Sequence, residues 1–271
     1  MDLLQAGILG IVEGLTEFLP VSSTGHLILT SKLLGLEETE FVKAFTVIIQ
    51  SAAMLAVMIE YRSTFIKWIK NIFRWDLRSK ETQECWSLFC GTIPAVILGF
   101  LFGSKIKAYL FTTDVVSWSL IVGGVVILAW EHFFKTSHTS DTAFEFPTGS
   151  QSFKIGLFQC LALIPGTSRS LVTILGSRTL GLSKVDATIF SFYLAVPVLV
   201  GASVYDFYKY RDVVFSQNAH ENLWPLVVGF VASFFVAWLC IRLFLGFVKR
   251  FSFRSFGIYR ILVGVLFLVF F

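Results

Sequence analysis

Apolar residues along this chain gather into long unbroken runs instead of alternating with polar ones. Six runs, at about 43–61, 86–104, 115–133, 186–205, 223–241 and 255–271, are long enough to cross a hydrocarbon core, which takes roughly 20 helical residues. Two further stretches, 3–35 and 153–182, are interrupted halfway by Pro, Gly and Ser. Each half is too short to cross, and a broken helix at membrane depth survives only where it is buried in protein or lines a wet cavity. A lipid-immersed strand would alternate apolar and polar residues, so a closed barrel is not predicted. The pattern predicts an all-α membrane protein: a polytopic helical bundle of six transmembrane helices plus two re-entrant helix-loop-helix hairpins.

The two interrupted stretches resemble each other. GIVEGLTEFLPVSS at 10–23 aligns with GLFQCLALIPGTSRS at 156–170, and LGL at 34–36 recurs at 180–182. Three crossings follow each, so the single membrane domain, 1–271, divides into two repeats, 1–135 and 150–271, joined by a polar linker. A unit with an odd number of crossings inserts its second copy upside down, and in such inverted repeats the functional site lies where the helix breaks meet.

Composition agrees with this picture. The 271 residues are 55% hydrophobic and 15% charged, against about a quarter charged in soluble domains. The net charge of +4 is too small to point to nucleic acid. Its distribution is more informative. Alternating the crossings puts fourteen Lys and Arg, from Arg62 to Arg254, on one side and six (Lys32, Lys43, Lys105, Lys107, Lys209 and Arg211) on the other. By the positive-inside rule the first side is cytoplasmic and both termini face outward. FIKWIKNIFRW at 65–75 sets apolar residues opposite Lys67, Lys70 and Arg74, the pattern of a helix lying on the membrane surface. The four cysteines have no metal-type spacing and read as small core residues. Met1 and Asp2 provide no basic start, so no cleaved signal peptide is predicted.

Against this apolar background the polar groups of the two breaks stand out. Glu13 and Glu17 are four residues apart, so both carboxylates share one helix face. Intramembrane anions need a partner, a cavity or a proton, and a divalent cation fits, since Mg2+ and Ca2+ take carboxylate oxygens. The plainer alternative is hydrogen bonding within the bundle. Pro20 ends the first half-helix, and Ser22, Ser23 and Thr24 follow where caps belong. Capping explains one hydroxyl. Three, with His26 nearby, suggest a nucleophilic Ser and an imidazole to relay its proton. In the second break, PGTSRS at 165–170, Gly166 frees the backbone, Thr167 or Ser168 can cap the next half-helix, and Arg169 offers a planar fork for phosphate. The alternative for Arg169 is a salt bridge to Glu13 or Glu17. Gln159 occupies the repeat position of Glu13. Together these residues describe phosphoryl transfer inside a membrane.

At these positions the chain closely resembles the undecaprenyl-pyrophosphate phosphatase family, the bacitracin-resistance type of integral membrane phosphatase. The resemblance runs from EGLTEFLPVSSTGHL through PGTSRS to the C-terminal FGIYR. It implies removal of the terminal phosphate of undecaprenyl pyrophosphate, a carrier lipid of bacterial cell-wall synthesis, with divalent-cation dependence, a plasma-membrane location and a site open to the outer face. The expected roles are as follows: Ser23 attacks, His26 relays its proton, Glu13 and Glu17 hold Mg2+ or Ca2+, and Arg169 neutralises charge. Ser22, Thr24, Gly166, Ser168, Ser170 and Thr173 complete the substrate site. Direct attack by His26, or by water activated by Glu17, stays open at this point. So does a lipid-phosphate transporter using the same architecture. The expected partners are the lipid substrate and membrane lipid, with no nucleic acid. A homodimer is compatible with a sequence that does not set oligomeric state.

Overall fold

A computed structural model describes residues 1–74, 76–134, 144, 146–214 and 219–270; the linker falls largely outside them. Among the described residues the regular structure is helical throughout, in eleven α-helices and one 3-10 turn. The first interrupted stretch forms α1 (Leu3–Thr16) and α2 (Ser23–Leu33). After it come α3 (Glu40–Glu60), α4 (Arg62–Arg74), α5 (Lys80–Leu110) and α6 (Thr113–Phe133). The second forms α7 (Gly149–Gln159), the 3-10 turn Cys160–Leu163 and α8 (Arg169–Thr179). It is followed by α9 (Lys184–Val214), α10 (Ala219–Arg250) and α11 (Arg254–Phe270).

The chain is a polytopic all-α membrane protein. Helices α3, α5, α6, α9 and α10 are each long and apolar enough to cross a bilayer. The sixth expected crossing, α11, has 17 described residues and rises about 26 Å at 1.5 Å per residue. Large apolar side chains such as Phe100, Leu101, Val269 and Phe270 are 59–88% exposed, as a lipid-facing surface requires. Helix α4 follows α3 through a single residue, Tyr61. Its Trp68 is buried and donates to Glu84 at 2.7 Å, while Ile66, Ile69 and Phe73 stay exposed. All four cysteines are free thiols, and Cys240 alone of them is buried.

Three pairings organise the bundle: α1 lies against α10, α7 against α5, and α6 against α11, with α3 and α9 crossing at the centre. Close approach depends on absent side chains. A Cβ at Gly14 of α1 would stand 2.7 Å from the Ser233 carbonyl oxygen of α10, so backbone meets backbone as small residues permit in membranes. The main core, around Phe18, Phe192, Phe244 and Ile241, fills the space between α3, α8, α9 and α10.

The two interrupted stretches match in detail. Each begins with a capping box, Asp2 with Gln5 and Thr148 with Gln151. Each box glutamine then reaches the end of its own second half-helix: Gln5 Nε2 donates to Leu34 O at 3.2 Å and Gln151 Nε2 to Leu180 O at 3.5 Å. Both second half-helices stop at a left-handed glycine, Gly35 (φ 66°) and Gly181 (φ 97°), the C-terminal stop that lacks a Cβ penalty.

Candidate active site

Helix α1 runs out at Glu17, whose backbone N–H still donates to Glu13 O at 3.0 Å. The chain then turns through Pro20 and restarts at Ser22. Helix α8 restarts in the same way at Ser168. These two serines, N-caps of α2 and α8, are the positive-φ non-glycine residues among those described, at 74° and 77°. Such a backbone costs about 1–3 kcal/mol per residue and persists where the surroundings dictate it, commonly at functional sites. The two strained caps face one cavity of about 190 Å³. Its wall includes Glu17, Ser22, Ser23, Thr24, Gly166, Ser168 and Arg169 from the breaks, with Gln50 of α3 and Gln159 of α7 beside them.

Charge and hydrogen bonding join the two halves at this cavity. Arg169 Nη2 donates to Glu17 Oε1 at 2.8 Å, and Nη1 donates to Ser191 O at 3.0 Å. Both side chains of this ion pair are largely buried, 11% and 6% exposed. The other carboxylate oxygen, Glu17 Oε2, accepts from Ser23 Oγ at 2.5 Å. One carboxylate therefore holds the guanidinium with one oxygen and the candidate nucleophile with the other. The salt bridge weighed as an alternative use of Arg169 is formed, and it is formed on the cavity wall. Arg169 Nε is buried without a hydrogen-bond partner.

Several expected site residues lie behind that wall. Glu13 is fully buried on α1 one turn from Glu17, and neither of its oxygens has a partner. Ser170 Oγ donates to Leu19 O at 2.7 Å, tying α8 to the first break. Thr173 Oγ1 donates to Arg169 O at 2.8 Å and bonds Ser191 Oγ at 2.7 Å. Their contacts fix the frame that carries Arg169 rather than facing the cavity.

The expected Ser23–His26 relay is not formed. His26 Nδ1 lies 2.7 Å from Ser22 O, and a carbonyl only accepts, so the proton sits on Nδ1. Nε2 lies 2.7 Å from Tyr259 OH and accepts from it when the ring is neutral, with the two rings stacked 5.6 Å apart. The imidazole is held at both nitrogens, and the group that receives the Ser23 hydrogen bond is Glu17.

Next to Tyr259 stands the residue that the sequence reading passed over. Arg260 is fully buried in α11 and spends its donors on backbone carbonyls. Nη1 donates to Pro20 O at 3.1 Å, Nη2 to Gly166 O at 2.9 Å and to Ser119 O at 3.0 Å, and Nε to Leu120 O at 3.3 Å. One guanidinium thus bolts the first break, the second break and α6 together. Gly166 allows this approach: its φ is 88°, and a Cβ there would stand 2.6 Å from Val116 O. A signal was present in the sequence, since an arginine inside an apolar run such as FGIYRILVGV is expensive unless it has a task. Gln50, an uncharged polar residue in the apolar run TVIIQSAAML, gave a weaker signal of the same kind.

A polytopic helical membrane protein whose two interrupted hairpins close on a buried Arg–Glu–Ser cluster belongs to a definable class, one that handles anionic groups within the bilayer. The family follows from comparison. The family model described as "Bacitracin resistance protein BacA" matches residues 6–266, and the chain belongs to that family. It is 49% identical to an undecaprenyl-diphosphatase of Persephonella marina, covering all of this chain and 99% of that one. A protein of the same name from Campylobacter fetus is 46% identical, over 100% and 99% of the two chains. Another, from Deinococcus radiodurans, is 47% identical, over 99% and 95%.

Proposed function

We propose that this protein is an undecaprenyl-pyrophosphate phosphatase, releasing inorganic phosphate from the lipid pyrophosphate and returning undecaprenyl phosphate to the cell-wall carrier cycle. The observation that carries the reading is the hydrogen-bonded chain Arg169–Glu17–Ser23 on the wall of one cavity. In the reaction, Ser23 Oγ forms a bond to the terminal phosphorus as the bond to the bridging oxygen breaks. The lipid monophosphate leaves with that electron pair, and the serine proton passes to Glu17. Water then cleaves the phosphoserine, liberating phosphate and restoring the hydroxyl. Arg169, on the cavity wall, and the N-terminus of α8 stabilise charge on the transferring group, the dominant source of catalysis in such reactions. His26 acts through Ser22, whose carbonyl it holds, so it orients the nucleophile's segment.

The donor set fits a divalent cation. Among the described residues no three His, Cys, Asp or Glu side chains gather, but Mg2+ is commonly held by one or two carboxylates together with substrate phosphates. Glu13, with two unpartnered buried oxygens, and Glu17 would hold Mg2+ or Ca2+. Such an ion would supply positive charge that offsets the charge of the pyrophosphate. The correspondence of the two interrupted stretches supports reading 1–135 and 150–271 as inverted repeats. The distribution of Lys and Arg supports an inner-membrane protein with its site open to the outer face.

The test is phosphate release by purified protein in detergent, where no second compartment exists. Stoichiometric phosphate from a long-chain prenyl pyrophosphate is expected; its absence would contradict hydrolysis and leave transport as the use of the site.

A further inference from the structure

A cavity of about 190 Å³ accommodates a headgroup, since drug-sized ligands occupy about 300–1,000 Å³; a polyprenyl chain has to leave it. The charged residues of the cavity, Glu17 and Arg169, and the hydroxyls of Ser22, Ser23 and Thr24 come from the breaks. An apolar part of the wall is made by Ala95 of α5, by Ala162 and Leu163 of the 3-10 turn and by Ile164 and Pro165 after it. Directly across that wall lies a second, open cavity of about 420 Å³. Leu163 and Ile164 line both. Leu98, Phe102, Lys105 and Ile106 form the α5 side of the second cavity at helical spacing. Between them α5 carries Gly99, where a Cβ would stand 3.7 Å from Leu163 Cδ2, so α5 closely approaches Leu163, one of the two aliphatic side chains that line both cavities.

We infer that this groove between α5 and the 3-10 turn is the binding site for the isoprenoid units nearest the pyrophosphate, with Leu163 and Ile164 as the sill over which the chain passes. The inference rests on the phosphatase reading for the headgroup, and on continuity between the two cavities for the tail. The groove suits a branched, uncharged chain: it is almost wholly apolar, and its one charge, Lys105, is on a long stem that can lie along the chain while its ammonium stays at the polar boundary. The repeat makes the same point. Leu163 and Ile164 occupy the positions that Glu17 and Phe18 occupy in the first stretch, so the carboxylate position of one half has become the apolar sill of the other.

Two measurements test this. The first is photolabelling of the parent protein with a polyprenyl pyrophosphate bearing a diazirine on an isoprene near the headgroup. Label in peptides containing 98–110 or 160–164 is expected, and label confined to other helices would overturn the groove. The second compares a long-chain pyrophosphate with a single-isoprene pyrophosphate in Leu98→Trp and Ile106→Trp. The ratio of kcat/KM, long over short, should fall about tenfold as the indole displaces chain contact; an unchanged ratio in both variants would overturn the inference. Labelling does not need turnover. A protein that labels in the groove yet releases no phosphate breaks the phosphatase reading and keeps the tail site, whereas one that releases phosphate and labels elsewhere does the reverse.

Discussion

The two breaks share a backbone and differ in chemistry. Both restart a half-helix on a serine of positive φ, and both close it with a left-handed glycine. Yet the first carries Glu13, Glu17 and Ser23 where the second carries Gln159, Leu163 and Arg169. The matching backbone supplies geometry, two strained caps on one cavity, while the chemistry differs at the positions where the two stretches carry different residues. In the proposed reaction a single anionic group is met by Ser23 and Glu17 from the first break and by the Arg169 guanidinium from the second.

Changes that erase the divergence should therefore cost most. Glu17→Gln keeps an acceptor for Arg169 but removes the charge and the base for Ser23, and steady-state phosphate release should fall about 10³-fold, within the range for general-base removal. Arg169→Lys keeps the charge and loses the fork; a loss of about 10²-fold in kcat/KM is expected, as for removal of one oxyanion donor. Activity within a few-fold of the parent would remove Arg169 as the phosphate clamp. Changes to the shared frame should act on stability first. Arg260→Met strands carbonyls of both breaks, each orphaned group costing about 1–3 kcal/mol, so thermal unfolding in detergent should shift clearly downward along with activity. Smallest is the effect of Ser168→Gly, which relieves a positive φ but gives up the cap bond from Leu171 N–H. Glycine at an N-cap costs only a few tenths of a kcal/mol, so melting should hold or rise slightly. A large drop would mean that the bonds of the Ser168 hydroxyl to Leu171 N–H, Ser170 and Leu19 O outweigh the relieved strain.

Much of this comparison was legible in the sequence. The interrupted apolar runs, the matching glycines and serines, and the charge placed at each break followed from local pattern, because a lipid environment makes every intramembrane polar residue conspicuous. Apart from the Arg169–Glu17 salt bridge, weighed as one use of the arginine, pairwise contacts were not legible. Ser23 and His26 sit three residues apart and invite a relay, but the strained Ser22 sends the hydroxyl toward Glu17, and Tyr259, 233 residues away in the chain, engages the ring instead. Arg260 was readable as an oddity and not as a brace, since its partners are backbone carbonyls, which carry no sequence signature. Ser170 and Thr173 look alike to Ser168 in sequence, and only the packing of α8 against Leu19 and Ser191 turns them away from the cavity.

The central claim is that the two breaks act on one headgroup, and a double-mutant cycle on Glu17 and Arg169 tests it most directly. If the residues form one unit, the Glu17→Gln/Arg169→Lys protein should be scarcely less active than the worse single variant, because each change already disables the same step. Losses that multiply, with the double variant reduced by the product of the two single effects, would mean that the carboxylate and the guanidinium serve separate sites and would contradict the account.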